Sequence, residues 1–164
     1  MILNALGFQM CWLGLVLLGN SFVPFAIILL AIHLFFLSKG EYEVLLVITI
    51  VCIGSLVDTF LTLSHTFVFN SVLFVPAWLI VLWACFACTI THSLSFLRNW
   101  PVLQVVTGLF IAPLSYFAGN KFNAVEFSYS PLITFFMLGV IWSVLMLLFF
   151  RLEFLLIPEN SDAI

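Results

Sequence analysis

The stretch EVLLVITIVCIGSLVDTFLTLSH, residues 43–65, decides the fold. Between Glu43 at its start and His65 at its end, the one charged side chain is Asp58. A helix of this length, rising about 1.5 Å per residue, crosses the roughly 30 Å hydrocarbon core of a bilayer. Nearly everything else in it is fit for hydrocarbon, so it reads as a membrane span. The carboxylate then needs an explanation.

The rest of the chain agrees. Of 164 residues, 65% are hydrophobic and 7% charged, with a mean hydropathy of +1.35, more apolar surface than a water-soluble domain could cover. The net charge of −3, from four Lys/Arg and seven Asp/Glu, leaves no basic footprint, and a nucleic-acid partner is excluded. Apolar runs at 3–20, 22–38, 43–65, 73–97, 101–118 and 131–152 are each candidates to cross the membrane. The breaks between them, among them GNSFVP, SKGEYE and RNWP, supply glycine, asparagine, proline and charge. Pro24, Pro76, Pro101 and Pro131 stand where a helix can begin at least cost in backbone hydrogen bonds. At about 20 residues for each of six spans, roughly 44 remain, too few for a folded aqueous domain. The expectation is a single all-α domain over 1–164, a polytopic membrane helix bundle of about six transmembrane helices with no soluble domain.

The start, MILNALGFQMCWLGLVLLGN, lacks the basic n-region and A-x-A-like site of a signal peptide and reads as a retained first helix. With six spans, Lys39, Arg98 and Arg151 fall on one side and Lys121 on the other, so the positive-inside rule puts both termini in the cytoplasm.

Cys11, Cys52, Cys85 and Cys88 all lie in expected spans, where cysteine is a small polarisable packing residue. Cys85, Cys88 and His92 share a helical face, but C-x-x-C-x-x-x-H lacks the second ligand pair that makes a zinc site persuasive. Small residues at helical spacing are also what close packing in lipid requires. No metal and no cofactor are expected on this reading.

Counted from Glu43, Asp58 lies about 22 Å into a roughly 30 Å core, in its outer third. Gly54, Asp58, Thr62 and His65 are spaced to form one polar stripe that must face protein or water. An ionised carboxylate there costs at least about 2.5 kcal/mol on insertion scales, so it needs a partner or a proton. The fifth span delivers Tyr116, Asn120 and Lys121 to the same depth, and with Asp58, Thr62 and His65 they make a candidate outer polar pocket. An ion pair or hydrogen bond that only fixes helix register is the competing reading. A second candidate group, His33, His92, Ser93 and Gln104, with Asn4 and Gln9, falls in the inner half of the membrane. Arg98 and Trp100 suit the cytoplasmic headgroup layer as anchors.

Gly54 with Asp58, Pro76 with Trp78 and Leu79, His92-Ser93-Leu94, and GLFIAPLSYFAGNKF resemble a family of small bacterial multi-pass proteins, the domain of unknown function 2878 family. The Pro113–Gly119 stretch is the most specific part. The resemblance implies an inner-membrane location and a likeness to accessory members of lipid-modifying gene groups, with no activity and no catalytic residue to carry over.

There is no H-E-x-x-H, G-x-S-x-G, phosphate-binding glycine loop or repeated histidine box, and no inverted repeat of the transporter kind. Whether the protein is an enzyme stays open. Three functions compete: a lipid-linked accessory or apolar-substrate-binding protein, a small proton-coupled transporter, and a scaffold without a small-molecule site. The partners expected are membrane lipids, with a membrane-protein partner or a second copy of the chain left open.

Overall fold

Proline and glycine set the helix limits. In the computed structural model, which describes residues 1–38, 40–69 and 75–157, Pro101 and Pro131 open helices and Pro24 sits in a first turn. Pro76 stands immediately before a helix. At these positions the missing N–H has no intrahelical bond to lose. Gly19 and Gly40 turn the chain with φ of 56° and 100°, angles that disfavour a side chain. The resulting segments are α1 (Ile2–Leu18), α2 (Val23–Phe36), α3 (Glu41–Leu63), α4 (Ala77–Ile90), α5 (Pro101–Lys121) and α6 (Pro131–Leu156).

Ile2–Phe36, Glu41–Leu63, Pro101–Lys121 and Pro131–Leu156 are long and apolar enough to cross a membrane, while Ala77–Ile90 is apolar but shorter. Ile2–Phe36 doubles back through a 3-10 turn at Gly19–Phe22. Asn4 near its start donates to the Cys88 carbonyl, and His33 near its end meets His92, so both ends of this hairpin reach the end of α4 and the turn that follows it. Helix direction therefore alternates along the chain. One pole of the bundle gathers Asn4, His33, Glu43, His92, Arg98 and Glu153. Phe35, Phe36 and Phe60 are 85%, 81% and 70% exposed, an outer surface suited to hydrocarbon. The all-α membrane bundle expected from the sequence is the fold observed, with four segments rather than six long and apolar enough to cross, because the first two expected spans form the one stretch Ile2–Phe36 and the fourth is short.

The run 73–97 holds a shorter helix than expected. Residues 73 and 74 lie outside the described residues, α4 ends at Ile90, and residues 91–94 form a turn before a 3-10 segment at Ser95–Leu97. Hydroxyls compete for the backbone there: Thr89 Oγ1 donates to Phe86 O at 2.6 Å and Ser95 Oγ to His92 O at 2.8 Å. The fifth helix outruns its expected end at 118 and reaches Lys121 by way of a π-helical turn at Thr107–Ile111. Pro113 cannot donate to the carbonyl four residues before it, and a slipped turn accommodates that loss.

Helices α5 and α6 meet at backbone distance. A Cβ on Gly108 would strike the α6 backbone at Trp142 and Ser143, and one on Gly139 would strike the Leu109 carbonyl. Ser143 Oγ donates across the interface to Val105 O at 3.1 Å. Small residues allow this approach, and dispersion and interhelical hydrogen bonding hold it in lipid. At the other pole Phe67–Val68 (β1) pairs antiparallel with Glu126–Phe127 (β2), tying the loop after α3 to the loop after α5.

Asn20 joins the hairpin to α4 by accepting from Trp78 N–H at 3.1 Å, one of the first backbone donors of that helix. Asn20→Ala is expected to lower stability by about 0.5–1 kcal/mol, the cost of a lost cap at an exposed site. Thermal unfolding in detergent measures it.

Candidate functional site

Asp58 is fully buried and its two oxygens are shared between two aromatic side chains. Trp83 Nε1–H donates to Oδ2 at 2.6 Å and the Tyr116 hydroxyl to Oδ1 at 3.3 Å. Gly54, one turn before Asp58, makes room, since a Cβ there would collide with the Trp83 indole. Trp83 stacks on Trp142 with centroids 5.0 Å apart and planes 9° from parallel, and Tyr116 meets Trp142 edge-on at 6.0 Å. The carboxylate thus fixes two of the three rings of an aromatic wall.

That wall lines a cavity of about 210 Å³ between α1, α4, α5 and α6. Four of the chain's five tryptophans, Trp12, Trp78, Trp83 and Trp142, face it, and its few polar groups include Thr107, Ser115 and Tyr116. It is a slot rather than a sphere. On α5 its lining runs from Thr107 to Gly119, which at about 1.5 Å per residue is roughly 18 Å along the helix. Ile111 and Ser115 line the slot and are also exposed, so it opens sideways toward the surrounding lipid.

At the opposite pole Glu43, also fully buried, collects three polar neighbours on one oxygen. Thr91 Oγ1 donates to Oε1 at 2.9 Å, His92 Nε2 lies 3.0 Å from it, and His33 Nε2 lies 3.3 Å from it. The two imidazoles meet edge to face with centroids 4.7 Å apart. Cys88 completes the cluster, for the ligating atoms of His33, Glu43 and Cys88 all lie within 4.8 Å of one another. Among the described residues these three form the group whose ligating atoms lie close enough together to hold a metal, and His92 stands beside it against the Glu43 carboxylate. Local structure brings them together: Gly40 turns the chain between α2 and α3, and Glu43 sits in the first turn of α3, where the helix dipole favours an anion.

The residues singled out from the sequence divide unevenly. Tyr116 reaches Asp58, whereas Thr62 turns back to bond the Asp58 backbone carbonyl at 2.8 Å. His65 lies beyond the end of α3 with φ of 56°, exposed, so it is no part of a helical stripe with Asp58. Asn120 donates to Val125 O at 2.8 Å, and the Lys121 side chain is exposed. In the inner group His33 and His92 converge. Gln104 instead donates to the carbonyls of Leu97 and Arg98, and the Ser93 N–H donates to Asn4 Oδ1. Lys39 lies outside the described residues. Arg98 is more than a headgroup anchor: its Nε donates to Glu153 at 3.1 and 3.2 Å, and one terminal amino group makes a further bond to the same carboxylate. Trp83, Glu43, Thr91 and Glu153 were missed. The available signal for Trp83 was its polar edge, because a buried indole N–H usually finds an acceptor.

Residues 1–148 match the model of a family described as protein of unknown function, DUF2878. No curated protein matches the chain, and no solved structure does.

Proposed function

Since the chain belongs to that DUF2878 family of unknown function, we propose from the site alone that it binds the hydrocarbon chain of a membrane lipid in the aromatic slot. The observation that carries this reading is the slot's form: long, walled by tryptophan and phenylalanine, and open sideways where Ile111 and Ser115 are exposed. A cavity of about 210 Å³ is below the roughly 300–1,000 Å³ of sites for drug-sized ligands, so it suits one slender apolar chain rather than a whole phospholipid. Asp58 serves as a positioning residue that holds Trp83 and Tyr116 in the wall. In this reading the protein is a lipid-linked accessory protein of the bacterial inner membrane. The pole bearing Arg98 and Arg151, and with it both termini, faces the cytoplasm.

A proton-coupled carrier built on Asp58 and a histidine gains less support. The partners of Asp58 are aromatic, and His33 and His92 gather around Glu43.

Ser115→Phe places a ring in the slot from an exposed position on α5. The protein purified from membranes is expected to carry a lipid or other apolar molecule, detected by mass spectrometry of the extract. In the Ser115→Phe chain its occupancy is expected to fall about tenfold, the effect of losing about 1.4 kcal/mol of binding, with the thermal midpoint little changed. Equal occupancy in both chains would leave the slot as packing, and a chain that binds nothing would return the protein to a scaffold.

A further inference from the structure

We infer that the pole opposite Asp58 is a zinc site built on the cluster of His33, Glu43 and Cys88, with His92, 3.0 Å from the Glu43 oxygen, turning in as the fourth ligand. The sequence set a metal aside because Cys85, Cys88 and His92 lacked further ligands; the fold supplies two from elsewhere, His33 from α2 and Glu43 from α3.

The geometry carries the argument. In a tetrahedral site with bonds of about 2.0–2.2 Å to nitrogen and oxygen, neighbouring donor atoms are about 3.4 Å apart. The two imidazole nitrogens lie 3.3 and 3.0 Å from the same Glu43 oxygen, close to that edge length. That oxygen also accepts from Thr91, so three groups converge on an atom with two lone pairs. A cation relieves the crowding by turning the imidazole nitrogens from competitors for one oxygen into joint ligands.

The donor set points to zinc. Two imidazoles, a carboxylate and a thiolate suit a borderline-soft ion that takes four tetrahedral ligands, and four protein ligands describe a structural rather than a catalytic site. Charge agrees as well, because one carboxylate and one thiolate neutralise a divalent ion, giving a neutral assembly where Glu43 and Cys88 are both buried. Thr91 supplies the outer hydrogen bond that orients a ligating carboxylate. The ion would clip the α2–α3 hairpin to the end of α4, which is the part of the bundle where a short helix gives way to turns.

The test uses the full chain purified from membranes in detergent without chelator. Elemental analysis is expected to find about one zinc ion per chain, falling at least tenfold in Cys88→Ser and in His92→Ala. Thr91→Val should keep zinc but bind it roughly 10-fold more weakly. Cys52→Ser, at an exposed cysteine in α3, should leave the content unchanged. Because a ligand variant could fail to fold, cobalt is added to the metal-stripped wild-type chain, where a tetrahedral visible spectrum with a thiolate-to-cobalt band is expected. A monodisperse wild-type chain that carries no zinc and takes up no cobalt would overturn the inference. So would zinc retained undiminished in both Cys88→Ser and His92→Ala.

Discussion

Asp58→Leu is expected to lower stability by about 2–4 kcal/mol, because it strands the Trp83 N–H and the Tyr116 hydroxyl without an acceptor. Each orphaned buried donor costs about 1–3 kcal/mol, partly offset because no carboxylate has to be desolvated. Asp58→Asn should cost under about 1 kcal/mol. The amide oxygen can accept from Trp83 while the amide nitrogen donates to the Tyr116 oxygen, since a phenol can serve in either role. Thermal unfolding in detergent gives the order of stabilities. Near-ultraviolet circular dichroism reports on the stack of Trp83 and Trp142, which should be disturbed in the leucine variant and retained in the asparagine variant. Lipid occupancy should follow the stack. An asparagine variant that keeps its fold and its stack but loses its lipid would show that the carboxylate acts by its charge. The positioning role would then fall.

How far the sequence spoke depended on whether a residue's role was local. The depth of Asp58 and that of Tyr116 follow from counting along two helices, so Tyr116 was legible in the sequence as one of three candidate partners. The Trp83 bond was not. Its N–H belongs to a residue type that reads as bulk or as an interfacial anchor, and which acceptor it finds depends on the register of α4 against α3 at Gly54. Glu43 escaped for another reason. A glutamate in the first turn of a helix is ordinarily a solvated cap, and here the turn at Gly40 draws it under His33 and His92 instead. Asn120 and Lys121 were placed beside Asp58 by depth alone. The continuation of α5 to Lys121 turns them toward the Val125 loop and the surface.

The two polar groups expected from the sequence, one outer and one inner, each centre in the structure on a buried carboxylate of α3. These carboxylates sit at opposite poles of the same helix, Glu43 in its first turn and Asp58 five residues before its end at Leu63. Each is held by groups from other helices: α4 and α5 around Asp58, α2 and the turn after α4 around Glu43. The aromatic slot depends on the first of these and the proposed zinc clip on the second, so substitutions at one pole should leave the other's readout intact.

Arg98→Ala is expected to cost about 3 kcal/mol, the lower end of the range for breaking a buried ion pair. Glu153 is 1% exposed and would lose the guanidinium that meets both its oxygens, leaving an anion between α6 and the turn after α4. The lower figure applies because Arg98 itself is 33% exposed and partly screened by its surroundings. The sequence concealed this pair, since an apolar run ending at 152 makes Glu153 look like a tail charge. In the structure α6 continues to Leu156 and carries that carboxylate into the bundle. A double variant, Arg98→Met with Glu153→Leu, should recover most of the loss, because apolar side chains of similar size remove the stranded charge along with its partner. Thermal unfolding of the wild-type, single and double variants in one detergent checks both halves. A double variant as unstable as Arg98→Ala would mean that Arg98 acts through contacts other than Glu153.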